Sequence, residues 1–143
     1  SARLGERLLV RDVMTATPVA MESDAPVVDA ARAMQAEDVG SLPVVSEGTL
    51  VGIVTDRDLV VHVLARDLDA RKVLVSECCT EDPVVASPDE PLDTALQRMA
   101  QAQVRRLPVV DDERLVGIVA QADIARAAEP EATGEMVQNI SQG

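Results

Sequence analysis

The sequence contains no phenylalanine, tyrosine or tryptophan. Without aromatic rings the chain has no platform on which to stack bases, the usual way of holding a single strand. Any purine it binds must lie between aliphatic side chains and backbone. Positive charge is scarce as well: 13 Lys and Arg stand against 25 Asp and Glu, for a formal net charge of −12. Binding a nucleic acid duplex requires a clustered basic surface, so charge argues against that partner. There is one histidine, His62, in an apolar helical run. Any Ser-His-Asp or Cys-His centre would have to be built on it, and a packed or solvated imidazole is the ordinary outcome. No Gly-x-x-x-x-Gly-Lys run is present to cradle phosphates. No two carboxylates are placed by sequence as an acid–base pair. These absences predict a protein that is not an enzyme.

The only cysteines, Cys78 and Cys79, are adjacent. They form no disulfide framework and lack partners at zinc-ligand spacing, so a reducing, cytoplasmic setting and no metal are expected. A redox or metal response through this pair stays open as a minor reading. No apolar run approaches the roughly 20 residues of a membrane helix. Residues 1–6 lack the apolar stretch of a signal peptide. No membrane helix is therefore expected, and a cleaved leader would leave no trace in this sequence.

What is present is a duplication. Displaced by 65 residues, the chain matches itself without a gap. Leu42-Pro43-Val44-Val45 overlies Leu107-Pro108-Val109-Val110, and Leu50-Val51-Gly52-Ile53-Val54 overlies Leu115-Val116-Gly117-Ile118-Val119. Asp24, Pro26, Ala30, Met34, Val39 and Asp58 repeat as Asp89, Pro91, Ala95, Met99, Val104 and Asp123. Two copies of this length indicate duplicated domains rather than a solenoid. Each half alone would have a marginal core, so the halves should fold against each other. The division falls at 1–68 and 69–143, with the polar stretch from Ala65 to Val75 as connector.

Each copy reads β-α-β-β-α, an α/β (α+β) pattern. A short extended piece, Val19 to Met21 or Val84 to Ala86, precedes a Ser/Asp/Pro turn. Asp24 and Asp89 suit helix caps, and Pro26 and Pro91 a first turn. Val27, Ala30, Ala31 and Met34, and again Leu92, Ala95, Leu96 and Met99, recur at helical spacing. Two β-rich runs follow, joined by Ser46-Glu47-Gly48 in the first copy and by Asp111-Asp112-Glu113, without glycine, in the second. A second helix begins near Asp56 and near Gln121. Residues 6–14 predict a short helical lead-in, and residues 134–140 a last amphipathic helix returning through Met136, Val137 and Ile140. Met14, Met34 and Met99 read as core filler.

The elements Val13-Met14-Thr15 with Pro18-Val19, the Leu-Pro-Val-Val strand and Gly52-Ile53-Val54-Thr55-x-x-Asp58 resemble the cystathionine-β-synthase-type (CBS) repeat family. The resemblance covers nearly the whole chain. It implies two tandem repeats packed through their sheets with pseudo-two-fold symmetry, with two clefts between them. It further implies a regulatory, ligand-sensing module that takes AMP, ADP, ATP or S-adenosylmethionine in those clefts and needs no cofactor. A homodimer and an unknown effector protein are implied as partners. The dimer would use helix faces including Val60, Val61, Leu64, Ile124 and Ala127. A structural interaction module with empty clefts is the alternative.

Residue by residue, spacing alone makes Thr55-x-x-Asp58 a helix capping box. The resemblance assigns the same pair to ligand: Asp58 to the ribose hydroxyls and Thr55 to phosphate. Ala120 replaces the threonine in the second copy while Asp123 remains, so two unequal clefts are expected, the one with Thr55 and Asp58 better formed. Arg105 and Arg106, where the first copy has Gly40 and Ser41, suit phosphate because guanidinium donors bind in pairs; solvated surface arginines are the plain alternative. The adenine seat would use Thr15, Val19, Val39 and Gly40 on one side and Thr80, Val84 and Val104 on the other. Family symmetry pairs Asp58 with Thr80 and Val84, and Asp123 with Thr15 and Val19. Each valine taken singly reads more readily as ordinary core.

Overall fold

The structure is a computed structural model that describes residues 8–128. The predicted helix at residues 134–140 lies outside them, as do the first residues of the lead-in. The fold is mixed α/β and repeats in the 65-residue register. In order, the elements are α1 (Val10–Val13), β1 (Thr15–Ala16), β2 (Met21–Glu22), α2 (Val27–Glu37), β3 (Ser41–Ser46), β4 (Thr49–Thr55) and α3 (Asp56–Leu59). A π-helical stretch, Val60–Leu64, continues α3. Then come α4 (Val75–Cys78), β5 (Thr80–Glu81), α5 (Leu92–Ala102), β6 (Arg106–Asp111), β7 (Arg114–Ala120) and α6 (Gln121–Ala128).

The chain forms two compact units that follow contacts rather than the duplication boundary. Among the described residues the first comprises 18–83 with 112–115, and the second 8–17, 84–111 and 116–128. Each repeat's body therefore shares a unit with the lead-in that precedes the other repeat in sequence.

In the first unit β2 pairs parallel to β3, β3 antiparallel to β4, and β4 antiparallel to β5. Helix α2 buries Val27, Ala30 and Met34 against Leu42, Val44, Val54, Val63, Val75 and Cys78. Its N-cap is Pro26, without a side-chain hydrogen bond, rather than Asp24. Two of the helix's orphan donors are met by the connector: Val27 N–H donates to the Val73 carbonyl at 2.8 Å and Val28 N–H to that of Ala70 at 3.0 Å. Backbone capping from a distant segment replaces the aspartate expected from local sequence.

The second unit repeats this plan. Strands β6 and β7 pair, β1 lies antiparallel on β7, and Ala86 bridges parallel to Val109. Helix α5 buries Leu92, Ala95 and Met99 against Val10, Leu107, Val109, Val119 and Ile124. Its cap is Pro91 rather than Asp89. Ile124 is 1% exposed. It was expected on a dimer face, but its side chain instead completes the core beneath α5. Val10 N–H donates to Glu90 O at 2.9 Å, and the duplicated pair is Val75 N–H to Ala25 O at 2.8 Å. The duplication thus extends to individual backbone hydrogen bonds.

The hairpin turns show what glycine contributes. Glu47 and Gly48 both have positive φ, 51° and 85°. The second hairpin places Asp112 and Glu113 in the same left-handed conformation, φ 52° and 68°, with no glycine to relieve it.

Candidate functional site

In each repeat the candidate motif sits where the second long strand of the hairpin enters a helix. In the first unit Thr55 is the N-cap of α3. Its hydroxyl accepts from Asp58 N–H at 3.1 Å, and its own N–H donates to Asp58 Oδ2 at 2.9 Å. This is a complete capping box. It also aims the carboxylate: Oδ2 is held by backbone, while Oδ1 has no hydrogen-bond partner among the described residues. A carboxylate so held still offers most of its lone pairs to a diol.

The loop before β3 is tied to the same corner. Asp56 N–H donates to the Gly40 carbonyl at 2.9 Å. The Asp56 carboxylate lies over Gly40, where a Cβ would come within 2.9 Å of Oδ2. Val39 packs against the core and Gly40 is exposed. Strand β5 reaches the corner from the other side, with Thr80 opposite Ile53. Gly52 makes that crossing possible, because a Cβ there would stand 2.6 Å from the Thr80 carbonyl oxygen and 2.9 Å from Cys79 Sγ.

Burial, then the negative charges of Asp58 and Glu77, raise the Cys78 thiol above its ordinary value. Burial, Glu81 and Asp58 do the same to Cys79. The Asp58 carboxylate is thus close enough for its charge to act on both thiols. The family resemblance paired Asp58 with Thr80 of this lead-in, but the influence of Asp58 on the two thiols was not read from the sequence.

The second unit has the same frame with other side chains. Gln121 N–H donates to the Arg105 carbonyl at 2.8 Å, duplicating the Asp56–Gly40 link. Ala120 leaves no hydroxyl cap. Asp123 is half-buried and has Arg126 at 3.8 Å. Arg105 and Arg106 are exposed, Arg106 as the first residue of β6. Thr15 pairs with Ile118, and Gly117 makes room for it as Gly52 does for Thr80.

Of the candidate residues, Val19, Val39, Gly40, Thr55, Asp58 and Thr80 belong to the first unit. Thr15, Val84, Arg105, Arg106 and Asp123 belong to the second. Val19 and Val84 are 44% and 45% exposed, unlike core valines. Asp56 was not singled out from sequence, since only the fold lays its carboxylate over Gly40.

The family model for the CBS domain matches residues 10–65 and 75–130. The chain belongs to the CBS-domain family. Among relatives of this CBS pair is Hypoxic response protein 1 of Mycobacterium tuberculosis, 34% identical over 131 residues, 91% of this chain and 92% of the relative. The crystal structure of Hypoxic Response Protein I, which holds two coordinated zinc ions, superposes with a TM-score of 0.76 at 35% identity, covering 83% of this chain and 98% of that one. The CBS pair of protein MJ0100, solved with 5′-methylthioadenosine and S-adenosylmethionine, gives a TM-score of 0.70 at 35% identity, covering 83% and 94%. CBSX2 of Arabidopsis thaliana, solved with AMP, gives 0.72 at 31% identity, covering 84% and 95%. Among the described residues of the present CBS pair, no three of His, Cys, Asp and Glu come together as a metal-ligand set, and no helix is long and apolar enough to cross a membrane.

Proposed function

We propose that this CBS pair is a regulatory module that binds an adenosine-containing ligand and acts through binding rather than catalysis. The observation that carries this reading is the Asp58 carboxylate, oriented by the Thr55 backbone and left with a free oxygen beside β5. Asp58 accepts the ribose hydroxyls. Thr55, whose oxygen is occupied by Asp58 N–H, retains its hydroxyl proton for the ligand. Thr80, Gly40 and Val39 border the corner, while Val19 lies in the same unit. In the second unit Asp123 takes the ribose role, with Thr15, Arg105 and Arg106 in the same unit; Val84 lies in the unit of Asp123 and Val19 in that of Asp58, the reverse of the pairing expected for these two valines. The adenosine ligands bound by MJ0100 and CBSX2 support the class of ligand. Signalling follows from differential affinity: a ligand that binds one conformation better shifts the population toward it, and an effector protein reads the result.

A homodimer is the second part of the proposal. Val60, Leu64 and Leu68 are 53%, 74% and 48% exposed, beside an apolar groove lined by Val27, Ala31, Leu59, Val60, Leu64 and Ala70. The duplicated positions of Val60, Val61 and Leu64 are Ala125, Arg126 and Glu129, so the second repeat's sequence carries charge at two of these three positions. In a chain of net charge −12, an uncharged face is where two copies meet with least repulsion.

The test is calorimetric titration with AMP and with 5′-methylthioadenosine, repeated on Asp58→Asn. Asparagine keeps an oxygen for the Thr55 N–H but loses the charge. The expected result is binding by the native chain and about tenfold or greater weakening of at least one ligand in the variant. Silence with both ligands, together with capture of a partner protein regardless of added nucleotide, favours the purely structural module instead.

A further inference from the structure

The two corners share a backbone frame and differ in charge. In the first, the positions are Gly40, Ser41, Thr55, Asp56, Arg57 and Asp58, a net charge of −1. In the second they are Arg105, Arg106, Ala120, Gln121, Ala122 and Asp123, a net charge of +1. The duplicated links Asp56 N–H to Gly40 O and Gln121 N–H to Arg105 O, at 2.9 and 2.8 Å, put the compared residues in the same place. Where the second corner has a guanidinium, the first has a bare glycine with the Asp56 carboxylate laid over it. Among the described residues neither Arg105 nor Arg106 is engaged in an ion pair or a side-chain hydrogen bond.

We infer that the chain holds two different adenosine ligands at once: one carrying a 5′-phosphate at the Arg105/Arg106/Asp123 corner, and one whose 5′ substituent bears no negative charge, a thioether or sulfonium, at the Asp56/Asp58 corner. The inference rests on the adenosine reading above and sharpens it. A phosphate placed over Gly40 would face the Asp56 carboxylate at short range with no cation in the glycine's place. Gly40 and Asp56 are both exposed, so water screens the repulsion, yet like charges about 4 Å apart there still disfavour binding by about fivefold. At Arg105 the sign is reversed and the guanidinium donates to phosphate oxygens. The threonine present only in the first corner then serves a neutral ligand through its hydroxyl, and its absence from the phosphate corner costs little.

The experiment is calorimetry on the full chain with AMP and 5′-methylthioadenosine, singly and with the second titrated after saturation by the first. The expected result is one equivalent of AMP binding undiminished after saturation with methylthioadenosine. Raising salt should weaken AMP and leave methylthioadenosine nearly unchanged. Exchanging Arg105→Gly with Arg106→Ser, both at exposed positions, should weaken AMP about tenfold or more and leave methylthioadenosine within about twofold. Asp58→Asn should do the reverse. Competition between the two ligands for one equivalent, or AMP affinity indifferent to the arginine exchange, overturns the inference while leaving the adenosine reading intact. Failure of the native chain to bind either ligand removes both.

Discussion

Replacing Gly52 with alanine should lower the melting temperature by about 3–8 °C, the largest loss from any single methyl added at a strand glycine. The cause is the crossing of β5 over β4. An alanine Cβ would sit 2.6 Å from the Thr80 carbonyl oxygen, whereas ordinary contact begins near 3.4 Å, so backbone must retreat by about 0.8 Å. The second neighbour, Cys79 Sγ at 2.9 Å, belongs to a short side chain and yields little. Overpacking of this kind costs about 1–3 kcal/mol, and alanine recovers about 0.4–1 kcal/mol through the less flexible unfolded chain. The net loss of about 1–2 kcal/mol converts at roughly 3–4 °C per kcal/mol for a domain of this size. Gly117→Ala supplies the internal control. Its nearest neighbour is Met14 Sδ at 2.7 Å, a flexible thioether, and the Thr15 carbonyl lies further off at 2.9 Å. That variant should lose less. Calorimetry or far-ultraviolet circular dichroism provides the readout, since the chain has no Trp or Tyr for fluorescence. A Gly52→Ala protein as stable as the native one, or more stable than Gly117→Ala, would refute the crossing geometry.

Arg98→Met should cost about 1–2 kcal/mol in urea denaturation, because Arg98 Nη1 donates to Val85 O at 2.8 Å and to Glu90 Oε1 at 2.7 Å, and Glu90 would be left nearly enclosed without its cation. Both cysteine thiols have raised pKa values, so the folded chain keeps these protons to higher pH than the unfolded chain, whose thiols titrate near 9.0. Stability is therefore unaffected by them below that value and falls as pH rises through the folded values. Melting curves from pH 7 to 10 should show a shallower alkaline decline in Cys78→Ser/Cys79→Ser. If the proposed homodimer forms through this face, Leu64→Asp should leave a monomer in light scattering with little change in melting temperature, as the side chain is 74% exposed. A native chain that is already monomeric at micromolar concentration would refute that face as an interface.

The 65-residue self-match, the hairpin strands, the helix periodicities and the Thr55-x-x-Asp58 cap were all readable in the chain, because each depends on neighbours within a few residues or on comparing one copy with the other. The sequence also located both strand-to-helix corners and the substitution of Ala120 for Thr55. Tertiary structure decided what no local pattern encodes. It replaced the expected Asp24 cap with carbonyls from the connector, 42 to 46 residues further along the chain. It drew Ile124 into the core and left Leu64 in solvent, although both belong to apolar helical runs. It placed each lead-in in the compact unit built around the other repeat, a pairing of Asp58 with Thr80 that only the family resemblance had suggested, and brought the two cysteines within reach of the Asp58 charge. Local propensity acts over one turn or one hairpin. Where a segment finds its partner depends on which apolar faces bury together, and in a duplicated chain two nearly equal bodies are available to each lead-in, so only packing could choose between them.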